Sequence, residues 1–597
     1  MIIFLVSVVI LILSYFIYGK FVENILDVEK NRPAPVIRLQ DDVDFVPLPA
    51  WRIFFIQFLN ITGLGLIFGA IAGAMFGSAA FLWIVLGSIF SGAVHGYLSG
   101  MLSVRQDKLS ISEVVGIYLG PKMRHFLRYF TIILLIFVGT VFLRGPAKKN
   151  SLIPTPNLDK LASEGIRFTD AYCPVSVCPP SRFALMTGTY PFRSWKKSGV
   201  MANYEPSLIQ PGQLTLMQML QQKGYTTAGF GKWHLGTTFP TLDGKKPAGY
   251  GKFKAENNGA NIDLSKPVSD GPMDHGFEKW LGFSCASECW VLEGKKVMGI
   301  LQHDYYNVDS AQNKEHLKTI PRDEYLSLIT DKSTQFMQEH VAEHRNKPFF
   351  LYYSPYVPHI PLAASKDFIG STDAGLYGDY VHELDFYIGK LLKTLDSLKL
   401  AENTIVLFAS DNGSTFTETS RDTDFSKVSN SLGEMDIEIN NSLVHNPNGE
   451  LRGTKQTAWE GGVRTPFIAR WPGHFPQGAV SKQFFALSDI MATLASVVNN
   501  NLPDNQAVDS YNLLPVLMGN EVDVRPSVVI QSGRGDKGLR MGKWKYIEPS
   551  KANNGTGELY DLEKDISEGE NLIGNLPEKA QELKIELDKI VDGKSSK

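Results

Sequence analysis

Long apolar runs dominate the first 143 residues of this 597-residue chain, and the remainder has the mixed composition of a globular protein. The four longest runs are each near the roughly 20 residues that cross a bilayer core; they lie at about 2–18, 53–73, 80–96 and 126–143. The chain therefore predicts an all-α transmembrane segment of about four helices over residues 1–143. A junction at 144–150 then leads into a larger globular part.

The charges between the runs predict an orientation. Lys and Arg residues follow the first and third runs, whereas the short second loop has none. By the positive-inside rule these basic loops are cytoplasmic, and everything beyond residue 143 lies on the outer side. We therefore predict a multi-pass membrane protein in contact with membrane lipid, with its globular part on the periplasmic or extracellular side.

The net charge and the cysteine content argue against two classes of protein. A net charge of −3 argues against a nucleic-acid surface. Four cysteines are too few for a disulfide-dense scaffold, although Cys285 and Cys289 could pair if their geometry allowed it.

A cysteine followed by two prolines is the most informative motif of the globular part. Cys178-Pro179-Pro180 predicts a helix that begins at the cysteine, because proline suits the first helical turn. The N–H groups at such a helix end favour an anion, and Arg182 adds a guanidinium that suits a tetrahedral oxyanion. A buried structural cysteine beside a proline turn is the alternative.

Other polar groups come directly after predicted strands. Strands at 225–230, 348–354 and 404–409 are followed by Lys232 with His234, by His359, and by Asp411 with Asn412, respectively. Open α/β folds place ligand groups just past the carboxyl ends of strands, and oxygen donors suit Ca²⁺ or Mg²⁺. A helix predicted at 379–398 serves as a crossover, which favours an α/β fold. Each of these groups, taken alone, could equally be an ordinary turn, surface or structural residue.

Two motifs together resemble the signatures of a known family. Cys-x-Pro-Ser-Arg at 178–182 and Gly-Lys-Trp-His-Leu-Gly at 231–236 resemble the type I sulfatases, which are formylglycine-dependent and arylsulfatase-like. The resemblance covers residues of about 150–595. It implies an alkaline-phosphatase-like α/β domain over 151–500, with a mixed central sheet flanked by helices. It also implies a C-terminal subdomain over 501–597 that contains a small antiparallel sheet.

The resemblance implies hydrolysis of sulfate monoesters of carbohydrates or aryl groups. A formylglycine-generating enzyme would convert Cys178 to formylglycine, whose hydrated form attacks sulfur. The catalytic residues implied are Cys178, Arg182, Lys232, His234, His359 and Lys455. Arg182 and Lys232 would stabilise the hydrated aldehyde, and His234 would take a proton in the elimination. His359 and Lys455 would bind sulfate and help protonate the leaving oxygen. The ligands implied for Ca²⁺, or for Mg²⁺, are Asp411, Asn412 and the group at Cys178.

Residues 237–330 show no clean periodicity, which predicts loops over the site that carry substrate specificity.

One element of the sulfatase pattern is absent. Sulfatases open with a buried strand that ends in two aspartates, which bind the metal. In this chain the corresponding residues, 132–149, contain no acid at all. Asp41 and Asp42 are not a substitute, because they lie in a predicted cytoplasmic loop. We therefore predict a sulfatase-like domain that lacks its first strand, with impaired metal binding and weak or no activity.

The first 143 residues resemble a second family. Asp41 to Pro47, Gly92 to His95 and Ser103 to Asp107 are similar to the start of the carbon starvation protein A family of peptide or pyruvate transporters. Only the amino-terminal portion of such a transporter is present, so we expect no transport. A simple membrane anchor is the alternative.

Two other functions stay open at this point. Related folds hydrolyse phosphate or phosphonate monoesters with similar metal sites. The chain could also be a membrane-anchored degenerate sulfatase-like protein, or a transporter-fragment fusion, without activity.

Overall fold

A computed structural model describes residues 152–253, 257–285, 289–302, 318–419 and 445–597, together with scattered positions between 10 and 123. The chain divides into two compact units, residues 1–149 and residues 150–597. The four predicted membrane spans lie wholly or largely outside the described residues.

The predicted membrane localisation is wrong on the present finding. Among the described residues, no helix combines the length and the apolar composition needed to cross a bilayer. The two longest helices of the second unit, Arg322–His344 and Gly375–Ser397, have 23 residues each, but charged side chains interrupt both of them.

The described helices of the second unit are α1 (Pro156–Ser163), α2 (Cys178–Thr187), α3 (Leu216–Gln221), α4 (Arg322–His344), α5 (Gly375–Ser397), α6 (Glu460–Val463), α7 (Asp489–Val497), α8 (Leu514–Leu517) and α9 (Pro577–Asp592). The strands are β1 (Ile166–Phe168), β2 (Ala171–Tyr172), β3 (Thr226–Gly231), β4 (Lys279–Phe283), β5 (Trp290–Glu293), β6 (Lys296–Leu301), β7 (Lys318–Ile320), β8 (Phe349–Ser354), β9 (Val406–Ala409), β10 (Phe467–Arg470), β11 (Ala479–Ser481), β12 (Phe485–Ala486), β13 (Ser527–Gln531), β14 (Lys537–Met541), β15 (Trp544–Ile547) and β16 (Glu558–Asp561).

The largest sheet has six strands in the order β7-β6-β5-β4-β3-β8. β3 runs parallel to both β4 and β8, whereas β4, β5 and β6 pair antiparallel, so the sheet is mixed as predicted. β4 to β7 lie in the stretch 237–330 that was predicted as loops, and the prediction is wrong there. These strands are only three to six residues long, and glycines at 282 and 299 interrupt their side-chain alternation.

Smaller sheets complete the fold. A four-stranded sheet has the order β11-β1-β10-β9, and β12 pairs with β2. At the carboxyl end β13 to β16 form an antiparallel sheet, as predicted, and α9 packs its buried side chains against it; these are Ala580, Leu583, Leu587 and Ile590.

β8 and β9 are less buried than their apolar sequences predict. Every residue of β8 except Ser354 is only partly buried, and Ala409 at the end of β9 is exposed. Each strand lies at the edge of its sheet in the described structure. An apolar sequence indicates that both faces of a strand are covered by other residues. It does not indicate whether both edges of the strand are paired, and an unpaired edge leaves the strand more exposed.

Candidate active site

Cys178 is the first residue of α2, as the two prolines predict. The preceding Val177 is extended, and Pro179 and Pro180 occupy the first turn of the helix. The cysteine is only 3% exposed. Its Sγ lies 3.4 Å from Asn412 Oδ1 and 3.4 Å from Lys455 Nζ, so residues more than 200 positions apart meet at this helix end.

Arg182, one turn further along α2, connects three strand ends. Its Nε donates to Asp411 Oδ2 at 2.8 Å, beyond the end of β9. Its Nη1 donates to the Lys232 carbonyl oxygen at 2.8 Å, to the Tyr352 hydroxyl at 3.1 Å and to Ser354 Oγ. Arg182 therefore fixes the ends of β3, β8 and β9 around the start of α2. Burial alone would lower its pKa, but Tyr352 and Asp411 raise it, so the guanidinium stays charged.

Lys232 and His234 follow β3, as predicted. The chain turns at Gly231, where a side chain would collide with the Ser354 carbonyl group of β8. Lys232 and His234 are each 2% exposed. Burial lowers the pKa of Lys232. The His234 backbone has a φ of +58°, and its N–H donates to the Ser284 carbonyl oxygen at 3.0 Å.

The His234 ring faces two thiols. Cys285 and Cys178 raise the pKa of His234, although burial alone would lower it. None of the four cysteines is in a disulfide, so the suggested pairing of Cys285 with Cys289 is not formed.

His359 follows β8 and interacts with Cys178. Its Nδ1 lies 2.6 Å from the Ile360 carbonyl oxygen, so Nδ1 carries the proton. Burial lowers the pKa of His359 to about 3, and the charges of Lys455 and Lys232 act in the same direction. The imidazole is therefore neutral near pH 7, and its Nε2 is an acceptor.

The electrostatic balance at Cys178 is strongly positive. Burial alone would raise the pKa of the thiol, but Lys232 and Lys455 lower it, and the neighbouring His234 and His359 act in the same direction. The pKa of Cys178 therefore lies well below its ordinary value. An anion at this position is stabilised by two ammonium groups and by the amino-terminal end of α2.

The predicted metal ligands form only part of a cation site. The Asp411 carboxylate is engaged by Arg182, with a second contact of 2.8 Å from Nη2. Asn412 donates its Nδ2 to the Gly413 carbonyl oxygen at 2.9 Å, which leaves Oδ1 towards Cys178. In the described part of the chain, no group of three or more His, Cys, Asp and Glu could hold a metal ion. Since Ca²⁺ takes six to eight oxygen ligands, the described residues do not fit a complete calcium site.

The structure thus brings the predicted site residues together around the start of α2; they are Cys178, Arg182, Lys232, His234, His359, Asp411, Asn412 and Lys455. Three further residues of the site were not predicted from the sequence. Tyr352 and Ser354 hold Arg182, and Cys285 lies near His234. The position of Ser354, a small polar residue at the end of a strand rich in apolar and aromatic residues, was the signal for that residue.

The chain is similar to two protein families and to several characterised sulfatases. Residues 143–500 match the family model described as Sulfatase, and residues 1–154 match the one described as Carbon starvation protein CstA. An N-acetylgalactosamine-6-O-sulfatase of Bacteroides thetaiotaomicron is 30% identical over 483 residues, which cover 72% of this chain and 87% of the relative. Arylsulfatase A of Homo sapiens is 30% identical over 460 residues, which cover 72% of this chain and 81% of that protein.

A solved structure related to the metabolism of multiple glycosaminoglycans by Bacteroides thetaiotaomicron has a similar fold. It superposes with a TM-score of 0.61 at 27% identity, and the match covers 74% of this chain and 95% of that one. The similarity therefore extends over nearly the whole of the solved protein.

Proposed function

Since this chain belongs to the sulfatase family and is a sulfuric ester hydrolase, we propose that its reaction is centred on Cys178. The observation that carries the proposal is the buried thiol enclosed by Lys232, Lys455, His234 and His359. The proposed catalytic domain comprises residues 151–500, and the C-terminal subdomain comprises residues 501–597. The relatives favour sulfate esters over the phosphate, phosphonate and inactive alternatives.

The cationic side chains provide the proposed sulfate recognition. Lys232 is buried, Arg182 is 7% exposed, and the Lys455 ammonium lies 3.4 Å from Sγ. Positive charge at a buried site is costly unless an anion accompanies it. A sulfate ester bound above the start of α2 would supply that negative charge, and the helix end would contribute N–H groups.

Conversion of Cys178 to formylglycine by a formylglycine-generating enzyme would supply the nucleophilic oxygen that a thiol lacks. Lys232 and Arg182 would orient the group at position 178, since Asp411 and the end of β8 hold the guanidinium in place. His234 faces Cys178 and would accept the proton that must leave this group.

Protonation of the leaving oxygen is assigned to Lys455. The low pKa of His359 makes this histidine a poor acid, and its only proton is directed at the Ile360 carbonyl oxygen. His359 would instead accept a hydrogen bond through Nε2 and position its neighbours. Lys455 brings an ammonium group to within 3.4 Å of Cys178 Sγ and would give up the proton.

The family resemblance implies Ca²⁺ as the cation, or Mg²⁺. Asp411, Asn412 and the group at position 178 would contact it, and the cation would neutralise charge on the sulfate. Because the described residues offer too few oxygen donors, no step of the proposed reaction is assigned to the metal.

The proposed substrate class is a sulfated carbohydrate. The Bacteroides thetaiotaomicron relative is named for N-acetylgalactosamine 6-sulfate, and the human relative is named for aryl sulfates. Aryl sulfates are therefore suitable probes.

A substrate comparison tests the proposal. The full chain, co-expressed with a formylglycine-generating enzyme, is assayed with an aryl sulfate, the matching aryl phosphate and the matching aryl phosphonate. We expect turnover of the sulfate ester, slowed by the incomplete cation site, that is lost in the Cys178→Ala variant. Preferential turnover of the phosphate or phosphonate, or sulfate turnover that survives the Cys178→Ala substitution, would contradict the proposal.

A further inference from the structure

Tyr356 lies two residues beyond β8 and packs against the reaction centre. Its side chain is buried, with 3% exposure. The centroid of its ring lies 4.7 Å from that of the His359 ring, and the Lys232 ammonium lies 5.7 Å from the Tyr356 centroid. Tyr356 therefore contacts two residues that the proposed function places around the sulfate ester, although it has no part in that proposal.

The Tyr356 hydroxyl shares an acceptor with the imidazole of His359. Tyr356 Oη donates to the Ile360 carbonyl oxygen at 2.6 Å, and His359 Nδ1 donates to the same oxygen at 2.6 Å. The His359 backbone N–H donates to the Tyr356 carbonyl oxygen at 2.8 Å. Because a carbonyl oxygen has two lone pairs, both side chains are satisfied and both are fixed relative to one backbone group.

The ring of Tyr356 is an uncharged partner for the Lys232 ammonium. In the described part of the chain, no group accepts a hydrogen bond from Lys232 Nζ. An ammonium within about 6 Å of the centroid of an aromatic ring is attracted to the face of that ring. The ring can therefore hold the ammonium in place without a negative charge of its own, and the full charge of Lys232 stays available to an anionic ligand.

Arg322 is a second cation on the Tyr356 ring. It is the first residue of α4 and is 6% exposed. Its Cζ lies 5.0 Å from the ring centroid, and its Nε donates to the Gln302 carbonyl oxygen at 2.9 Å. Arg322 forms no ion pair with any described residue. The Phe283 ring of β4 packs edge-on against Tyr356 at 5.2 Å, so three elements fix the position of this ring.

We propose that Tyr356 is a positioning residue for sulfate binding, whose ring orients the Lys232 ammonium and the His359 imidazole towards the sulfate group. A carboxylate in the same place would also orient the ammonium, but it would neutralise the charge that attracts the sulfate. The aromatic ring avoids this competition. The inference rests on the proposed function and extends it to a residue that acts through Lys232 and His359.

Binding of inorganic sulfate to the full chain tests the inference without turnover. The Cys178→Ala chain is used, because it cannot form the nucleophile and its site carries no thiolate. Isothermal titration calorimetry gives the Kd for sulfate. In this background we expect Tyr356→Leu to raise Kd about tenfold, because both the ring contact and the hydroxyl are lost. Tyr356→Phe keeps the ring and should raise Kd no more than about threefold.

Two further variants separate positioning from a general loss of stability. Tyr546→Leu is the matched control, because Tyr546 is also 3% exposed but packs in the C-terminal sheet. It should lower the free energy of unfolding and leave the Kd for sulfate unchanged. If Tyr356→Leu does not fold, Tyr356→Met takes its place, since the flexible methionine side chain adapts to irregular core space.

The inference is overturned by an unchanged Kd in the folded Tyr356→Leu chain. It is also overturned by equal losses in the Tyr356→Phe and Tyr356→Leu chains, since the ring would then contribute nothing, or by an equal loss in the Tyr546→Leu control. Absence of sulfate binding before any change at residue 356 would overturn the proposed sulfate site as well. Sulfate binding that is indifferent to residue 356 overturns this inference alone.

Discussion

Two buried groups of charged side chains in this protein differ in how their charge is balanced. Lys545 in the C-terminal sheet has no exposure, and its Nζ contacts Glu460 Oε1 at 2.9 Å and Glu568 Oε1 at 2.8 Å. Glu460 also accepts from the Tyr172 hydroxyl at 2.9 Å and pairs with Arg464 at 3.2 Å. Protein groups therefore neutralise every charge in this cluster, which joins the C-terminal sheet to α6.

The cluster around Cys178 has the opposite character. Arg182, Lys232 and Lys455 bring three cations together, and the neighbouring carboxylate of Asp411 is already paired with Arg182. Both clusters are built from similar residues, although Lys455 and Asp411 are only partly buried. The contrast indicates that a balanced buried cluster stabilises the fold, whereas an unbalanced one is completed by a ligand.

Substitution of Cys178 by alanine has the largest predicted effect. The variant lacks the atom from which the nucleophile is proposed to form, so sulfate-ester turnover should fall by at least about 1,000-fold. The assay follows release of the aryl alcohol, and circular dichroism checks that the variant folds. A folded variant that keeps more than a tenth of the activity would remove Cys178 from the reaction.

Lys545→Met should destabilise the fold without removing any residue of the reaction centre at Cys178. It leaves Glu460 and Glu568 buried without their shared cation, which typically costs about 3–5 kcal/mol. Urea unfolding measures the loss. Lys589→Met on α9, whose side chain is 74% exposed, is the matched control and should leave the unfolding midpoint nearly unchanged. A Lys545→Met midpoint equal to that of the control would contradict the structural role of the cluster.

Lys455→Gln should weaken sulfate recognition rather than stability. The substitution removes the ammonium that lies 3.4 Å from Cys178 Sγ. We expect kcat/KM for a sulfate ester to fall by roughly 100-fold, in line with loss of a charged contact in a buried site. Lys455→Arg retains the charge and should recover part of the loss. A Lys455→Gln variant with lowered stability and unchanged kinetics would contradict this prediction. It would show that Lys455, like Lys545, stabilises the fold rather than binding a ligand.

His359→Gln has the smallest predicted effect. The substitution changes folding stability only below about pH 6.5. Because the pKa of His359 in the folded protein is about 3, the unfolded chain takes up a proton near pH 6.5 that the folded chain does not. His359 therefore makes the folded state lose stability as the pH falls below 6.5, by about 2 kcal/mol at pH 5. The variant lacks this dependence. Parallel stability curves for the two proteins between pH 7 and pH 5 would show that His359 is not held neutral.

Local sequence predicted the elements whose causes are local. The prolines after Cys178 set the start of α2, and Lys232 and His234 follow β3 because polar residues there end an apolar strand. Apolar periodicity likewise predicted α5 to within a few residues at each end.

Features that depend on distant partners were not predictable in this way. The contacts of Arg182 with Tyr352 and Ser354 join residues about 170 positions apart and have no local signature. β4 to β7 are too short to show a period, and a glycine interrupts β4 and β6, so their region was wrongly predicted as loops. The membrane localisation was inferred from apolar runs and from the charges between them, and it is contradicted by the helices of the described residues.

The most direct test of the central claim is the mass of the peptide that contains Cys178, taken from the full chain produced with a formylglycine-generating enzyme. Our account predicts an aldehyde in place of the thiol, in a preparation that hydrolyses sulfate esters. The account is contradicted if the thiol of Cys178 is unconverted in a preparation that still hydrolyses sulfate esters.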